Sequence, residues 1–179
     1  MVTLQAGFDA GGKPLLHACA YVSFQELATR VSHRNTGRYS ADPTAEKLLS
    51  RIAMDENLHM IFYRNLVKAA LEIAPSQTLQ AITDEVAGFV MPGSVIPGFA
   101  RKALQIAQAG IYDLRIHHDE VIMPLVRHWR IFEIKGLDSE GEQARHDLAA
   151  ALEALSARAT RYEERRAEAR AEPSTGQNE

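Results

Sequence analysis

Residues 43–74 read PTAEKLLSRIAMDENLHMIFYRNLVKAALEIA. The stretch holds no glycine, and its only proline stands first. Asp42 before it suits an N-cap, and Pro43 suits the first helical position, where a missing N–H costs nothing. Glu46 adds negative charge to the opening turns, and Pro75 ends the run. The pattern predicts one helix of about 30 residues, beyond the usual globular length. A helix that long points to a bundle.

The same periodicity extends on both sides. Upstream, a helix opens near Pro14, runs through LLHACAYVSFQELATRVSHR and stops at Asn35-Thr36-Gly37. Downstream, Ser76 is expected to cap a third helix, SQTLQAITDEVAGF. Met91-Pro92-Gly93 to Pro97-Gly98 reads as a turn-rich break. Two shorter helices are expected near 99–113 and 115–130, with 129–133 irregular. A final helix spans 137–170, opened by Asp138 or Ser139. Residues 171–179 are expected to be a disordered tail, and 1–170 a single domain. The fold class is all-α.

Composition narrows the function. The chain has 179 residues, 46% hydrophobic and 24% charged, enough for one domain with a real core. Its net charge of -3 excludes a simple, strongly basic nucleic-acid binder. A single cysteine, Cys19, excludes an intrachain disulfide framework and clustered thiolate metal sites. No long apolar run suggests a membrane span, and the N-terminus lacks signal-peptide features, so a cytoplasmic protein is expected.

The strongest chemical signal is Glu56-Asn57-Leu58-His59 in the middle of the long helix. Residues three apart share a helix face, so Glu56 and His59 point the same way. They lie on a stripe with Leu49, Ile52 and Tyr63. An unpaired carboxylate on an apolar seam is costly and calls for a metal, a basic partner or incomplete burial. The first helix repeats the peculiarity, with Glu26 on a stripe of Cys19, Val22, Thr29 and His33. A lone Glu on one helix beside Glu-x-x-His on another is half the ligand set of carboxylate-bridged di-iron bundles, which use four Glu and two His. The alternative is a solvated or hydrogen-bonded pair. His117, His118, Asp119 and Glu120 look like ligands, but adjacent residues do not share a face, and a polar turn or helix face is the better reading.

At these residues a family resemblance becomes specific. AYVSFQELATRVSHRNTGRYS (20–40) and IAMDENLHMIFYRNLV (52–67) resemble the soluble acyl-carrier-protein desaturases, nearest to the actinobacterial type and more distantly to the plastid stearoyl type. GFVMPGSVIPGFARKA (88–103), IYDLRIHHDEVIMPLVRHWRIFE (111–133), GLDSEGEQARHDL (136–148) and RYEERRAEAR (161–170) continue the resemblance.

The resemblance implies a ferritin-like bundle, usually a homodimer, that uses two irons and O2 to desaturate a fatty acyl chain on acyl-carrier protein. Electrons come from a ferredoxin-type donor. Glu26 matches the family's lone ligand Glu, and Glu56 and His59 its second Glu-x-x-His. Thr29 matches a threonine beside the irons that helps handle protons, and Asp55 an aspartate that hydrogen-bonds a ligand histidine of the other half-site. From the residues alone, Thr29 reads equally as a small core residue bonded to the Gln25 carbonyl, and Asp55 as an exposed acid. The family's earlier ligand Glu and first Glu-x-x-His have no match here. The expectation is therefore a partial bundle resembling only the family's C-terminal part, with the N-terminal ligand helices absent. Two readings follow. One is a desaturase whose site is completed by a second chain or a missing half. The other is a non-catalytic truncated remnant acting as a helical interaction protein. Phe62, Tyr63, Phe89, Met91, Phe99, Met123 and Trp129 are candidates to line an acyl tunnel. Arg34, Arg38, Lys68, Arg101 and Lys102 are candidates for a basic rim facing an acidic carrier.

Overall fold

The computed structural model describes residues 12–171. Two long helices, α1 (Leu15–Ser40) and α2 (Pro43–Ile73), form an antiparallel pair and share the most extensive contact in the molecule. Asp42 caps α2 by accepting from the N–H groups of Thr44 (2.7 Å) and Ala45 (3.1 Å). Gly37 does not end α1. The helix continues to Ser40 and closes at Ala41, which holds the left-handed conformation. Gly37 instead lies against α2, where an added Cβ would meet the Glu46 Cα at 3.1 Å and the Leu49 Cβ at 3.3 Å. Its missing side chain lets the two helices approach.

Helix α3 (Pro75–Ala87) starts on Pro75, and Ser76 serves elsewhere. Its hydroxyl accepts the Asp138 N–H, tying α3 to the start of α7 (Ser139–Ala171). Asp138 caps α7 through the Gly141 N–H (2.8 Å). α3 is buried on several sides, from Ser76 and Thr78 through Leu79 and Ile82 to Val86. It packs on α1 and on the Ala144, Leu148 and Leu152 stripe of α7. Its buried carboxylate, Glu85, is paired with Lys13 at 2.7 Å. After the turns of 88–98 come α4 (Phe99–Gln108) and a continuous helical segment made of α5 (Leu114–Ile116), a π-helical stretch (His117–Ile122) and α6 (Met123–His128). The π stretch has a local cause. Pro124 lacks an N–H, and its ring crowds the carbonyl four residues back. The preceding turn widens, and the Met123 N–H reaches the His118 carbonyl.

These helices close on one continuous core that includes Phe24, Leu27, Leu79, Ile82, Ile122, Leu125 and Leu148. This corrects the expectation of a partial bundle lacking its N-terminal helices. The described residues form an all-α bundle with its own centre, because α3 and α7 fill the middle. The expected tail of 171–179 lies, beyond Ala171, outside the described residues. No described helix is long and apolar enough to cross a membrane.

Candidate metal centre

The seam between α1 and α2 brings Glu26, Glu56 and His59 together, each offering one ligand atom within 4.8 Å of the others. Among the described residues this is the only such group of three or more His, Cys, Asp or Glu. His59 Nδ1 lies 3.3 Å from Glu26 Oε2 and 3.4 Å from Glu56 Oε2. The two carboxylates are largely covered, with side-chain exposures of 15% and 20%, whereas His59 is 60% exposed. Helical spacing accounts for the geometry. Glu56 and His59 are one turn apart on α2, and Glu26 meets them from α1.

The electrostatics fit a cation. Burial pushes the Glu26 carboxyl up to about 7, helped by a hydrogen bond and charge from Glu56 and opposed by His59. Desolvation draws His59 down, but Glu26 and Glu56 together raise it. Two carboxylates held this close repel when both are ionised, and a divalent cation between them relieves that repulsion. Two carboxylate oxygens and an imidazole are donors of the kind that suit Fe(II).

The other expected site residues fall around this cluster. The Thr29 hydroxyl, one turn beyond Glu26, donates within its own helix to the carbonyls of Glu26 (3.0 Å) and Gln25 (3.2 Å). Asp55 is exposed and lies 3.7 Å from Arg51 along α2, outside the cluster of Glu26, Glu56 and His59. His33, which the sequence did not place as a ligand, has Nε2 3.7 Å from Glu56 Oε1. Its position seven residues after Glu26, two turns along the same stripe, was the available signal. The run 117–120 is split up. His117 turns inward against Tyr112 (2.7 Å) and the Phe89 ring, and Glu120 pairs with Arg34 at 2.7 Å.

Two apolar surfaces are present, and only the first lies on α2. Met54, Leu58, Phe62 and Leu66 form an exposed apolar ridge on α2, at 60%, 64%, 59% and 41% exposure. A largely apolar cavity of about 420 Å³ is lined in part by Phe89, Met91, Leu104, Tyr112, His117 and Leu155. Of the other expected tunnel residues, Trp129 is core, packed edge-on against Phe24 at 5.7 Å.

Comparison with known proteins gives one consistent answer. A family model described as fatty acid desaturase matches residues 1–177. A Mycobacterium tuberculosis protein named as an acyl-[acyl-carrier-protein] desaturase, DesA1, is 47% identical over 149 residues, which cover 83% of this chain and 44% of that protein. The stearoyl-[acyl-carrier-protein] 9-desaturase of Gossypium hirsutum is 33% identical over 165 residues, 87% of this chain and 40% of that one. The crystal structure of DesA2 from Mycobacterium tuberculosis, titled as an acyl-ACP desaturase, superposes with a TM-score of 0.64 at 25% identity. It covers 75% of this chain and 53% of that one. The span of the family model corrects the expectation of a resemblance to the family's C-terminal part alone, since the match runs over nearly the whole chain. The chain spans less than half the length of the curated relatives it matches.

Proposed function

Because this chain belongs to the fatty acid desaturase family, whose members are oxidoreductases, we propose that it is an acyl-[acyl-carrier-protein] desaturase. It introduces a double bond into a saturated fatty acyl chain held on its carrier. The observation that carries this reading is the convergence of Glu26, Glu56 and His59 across the α1–α2 seam.

A methylene C–H bond yields to no acid or base, and a pair of bound irons supplies the O2-dependent redox chemistry the step requires. The residues of this chain that would help hold those irons are Glu26, Glu56 and His59. Glu26 and Glu56 supply hard oxygen donors whose charge offsets the metal's, and His59 supplies a neutral nitrogen. Thr29, one turn from Glu26, keeps a hydroxyl proton next to the centre.

A di-iron bundle site draws four carboxylates and two histidines, and one copy brings three such side chains together. Two copies related by a two-fold axis supply the whole set, one Glu26 and one Glu56/His59 pair from each. The apolar ridge of Met54, Leu58, Phe62 and Leu66 is the surface such a dimer buries. Four exposed apolar side chains in one row are the kind of contiguous patch that marks an interaction surface. The partners are acyl-carrier protein and a ferredoxin-type electron donor, in the cytoplasm.

The test is turnover. Iron-loaded protein is supplied with palmitoyl- or stearoyl-carrier protein, O2 and reduced ferredoxin, and the acyl products are analysed by mass spectrometry. A monounsaturated product, absent in Glu56→Ala, supports the reading. An iron-loaded protein that forms no such product with either substrate overturns it and favours a non-catalytic helical interaction protein, for which the exposure of His59 already speaks.

A further inference from the structure

The cavity of about 420 Å³ is built without α1 or α2, so it shares no residue with the cluster of Glu26, Glu56 and His59. Its walls come from α3 and the turn after it, α4, the segment 112–117 and α7. The sequence leaves it unfilled. Ala87, Ala103 and Ala107 stand where larger apolar side chains would close it, whereas protein interiors otherwise pack to near-crystal density. Helix α4 lines it with Ala103 and Ala107 and leaves Arg101, Lys102, Gln105 and Gln108 exposed. Only Ala107 of that helix is buried, and no other helix packs extensively on it. Gly98 and Gly110, left-handed at φ 80° and 72°, flank α4. It is a wall that can shift to admit a ligand. The polar side chains around the cavity are mostly answered from within. The Tyr112 hydroxyl and His117 Nδ1 share a 2.7 Å hydrogen bond. Asp113 accepts from the Ile116 N–H at 2.9 Å and lies 3.8 Å from Arg166. Arg158 is the exception. It is exposed, so it stands where the cavity meets solvent, and its guanidinium has no ion pair among the described residues. Apolar walls with a few polar groups that fix orientation are the build of a small-molecule site.

We propose that this cavity is a binding site for a free anionic amphiphile, with its apolar body under α4 and its anionic head on Arg158. Burying the body removes apolar surface of ligand and walls from water. The guanidinium matches a carboxylate or a phosphate with two parallel N–H donors. The charge at Arg158 separates this ligand from an acyl chain on a carrier, whose thioester linkage is neutral. The site needs neither bound iron nor a second copy.

The full chain, without added iron, is titrated calorimetrically with dodecanoate, with dodecyl phosphate and with uncharged dodecanol, each below its micelle-forming concentration. At least one anion is expected to bind at a single site per chain, about tenfold or more tighter than dodecanol. The tighter anion identifies the headgroup. Arg158→Gln should bring that anion down to the affinity of dodecanol. The control Arg161→Gln, exposed on the same helix and outside the cavity, leaves it unchanged. Ala107→Phe fills the cavity from α4 and should abolish binding of all three. Ala103→Leu is the milder filling variant and should weaken it, and circular dichroism shows that each variant is folded. No saturable anion binding by the wild type, affinity for dodecanol equal to that for both anions, or anion binding unchanged in the folded filling variants, as on the exposed α2 ridge, overturns the proposal.

Discussion

His117 shows how far a side chain's chemistry departs from its sequence neighbourhood. Read in line, it is one of four consecutive ionisable residues and belongs on a polar turn. In the fold it lies under Phe89 and shares a hydrogen bond with the Tyr112 hydroxyl. Burial, and then the proximity of His118, lower its pKa from 6.5 to about 4. The unfolded chain therefore takes up a proton below about pH 6.5, while the native state does not until about pH 4. Between those values the unfolded state binds more protons, so stability falls as pH falls. Across that window His117 alone should withdraw on the order of 2–4 kcal/mol. Urea unfolding reads it as the difference between wild type and His117→Gln, because Glu26, held up to about 7, shifts stability the opposite way as pH falls. An unchanged slope in the variant would show that other groups set the pH dependence. The residues of the candidate metal centre were more legible than His117. Glu26, Glu56 and His59 interrupt apolar stripes at helical spacing, and the seam that aligns those stripes brings all three together. His33 was legible only as a member of the Glu26 stripe, because nothing in the sequence states which turn of α2 it meets.

At the scale of elements, long helices read well and their ends read less well. Pro43, Pro75 and Asp42 mark α2 correctly, since capping and proline geometry act locally. Asp42→Ala should cost about 1 kcal/mol in chemical denaturation, and no measurable loss would show that α2 is held by packing alone. Gly37 misled as a stop signal because a glycine can serve a turn or a close approach, and only the partner helix decides which. At this position Gly37→Val should cost roughly 1–3 kcal/mol, since the new side chain meets the backbone of Glu46. A neutral or stabilising result, the expectation from helix propensity alone, would show that the α1–α2 seam opens freely. Ser76 misled in the same way. It has the chemistry of a cap, but its hydroxyl serves the start of α7, a partner 62 residues away. The π-helical stretch was not foreseen, although Pro124 marks its cause.

For the whole molecule, the all-α class followed from periodicity, while the centre of the core did not. Helix α3 reads as one ordinary amphipathic segment, yet it is the element around which α1 and α7 pack. Where it sits depends on long-range contacts that no local pattern encodes. What the fold leaves uncovered carries the functional argument. Glu26, Glu56 and His59 share the α1–α2 pair with the exposed ridge of Met54, Leu58, Phe62 and Leu66. The central claim is that this seam binds iron and that two copies complete the centre. Native mass spectrometry after anaerobic Fe(II) loading reads mass and metal together. The account predicts a dimer carrying two irons, with Glu56→Ala and His59→Ala both losing the metal. A folded monomer without bound iron, or iron retained after either substitution, would contradict it.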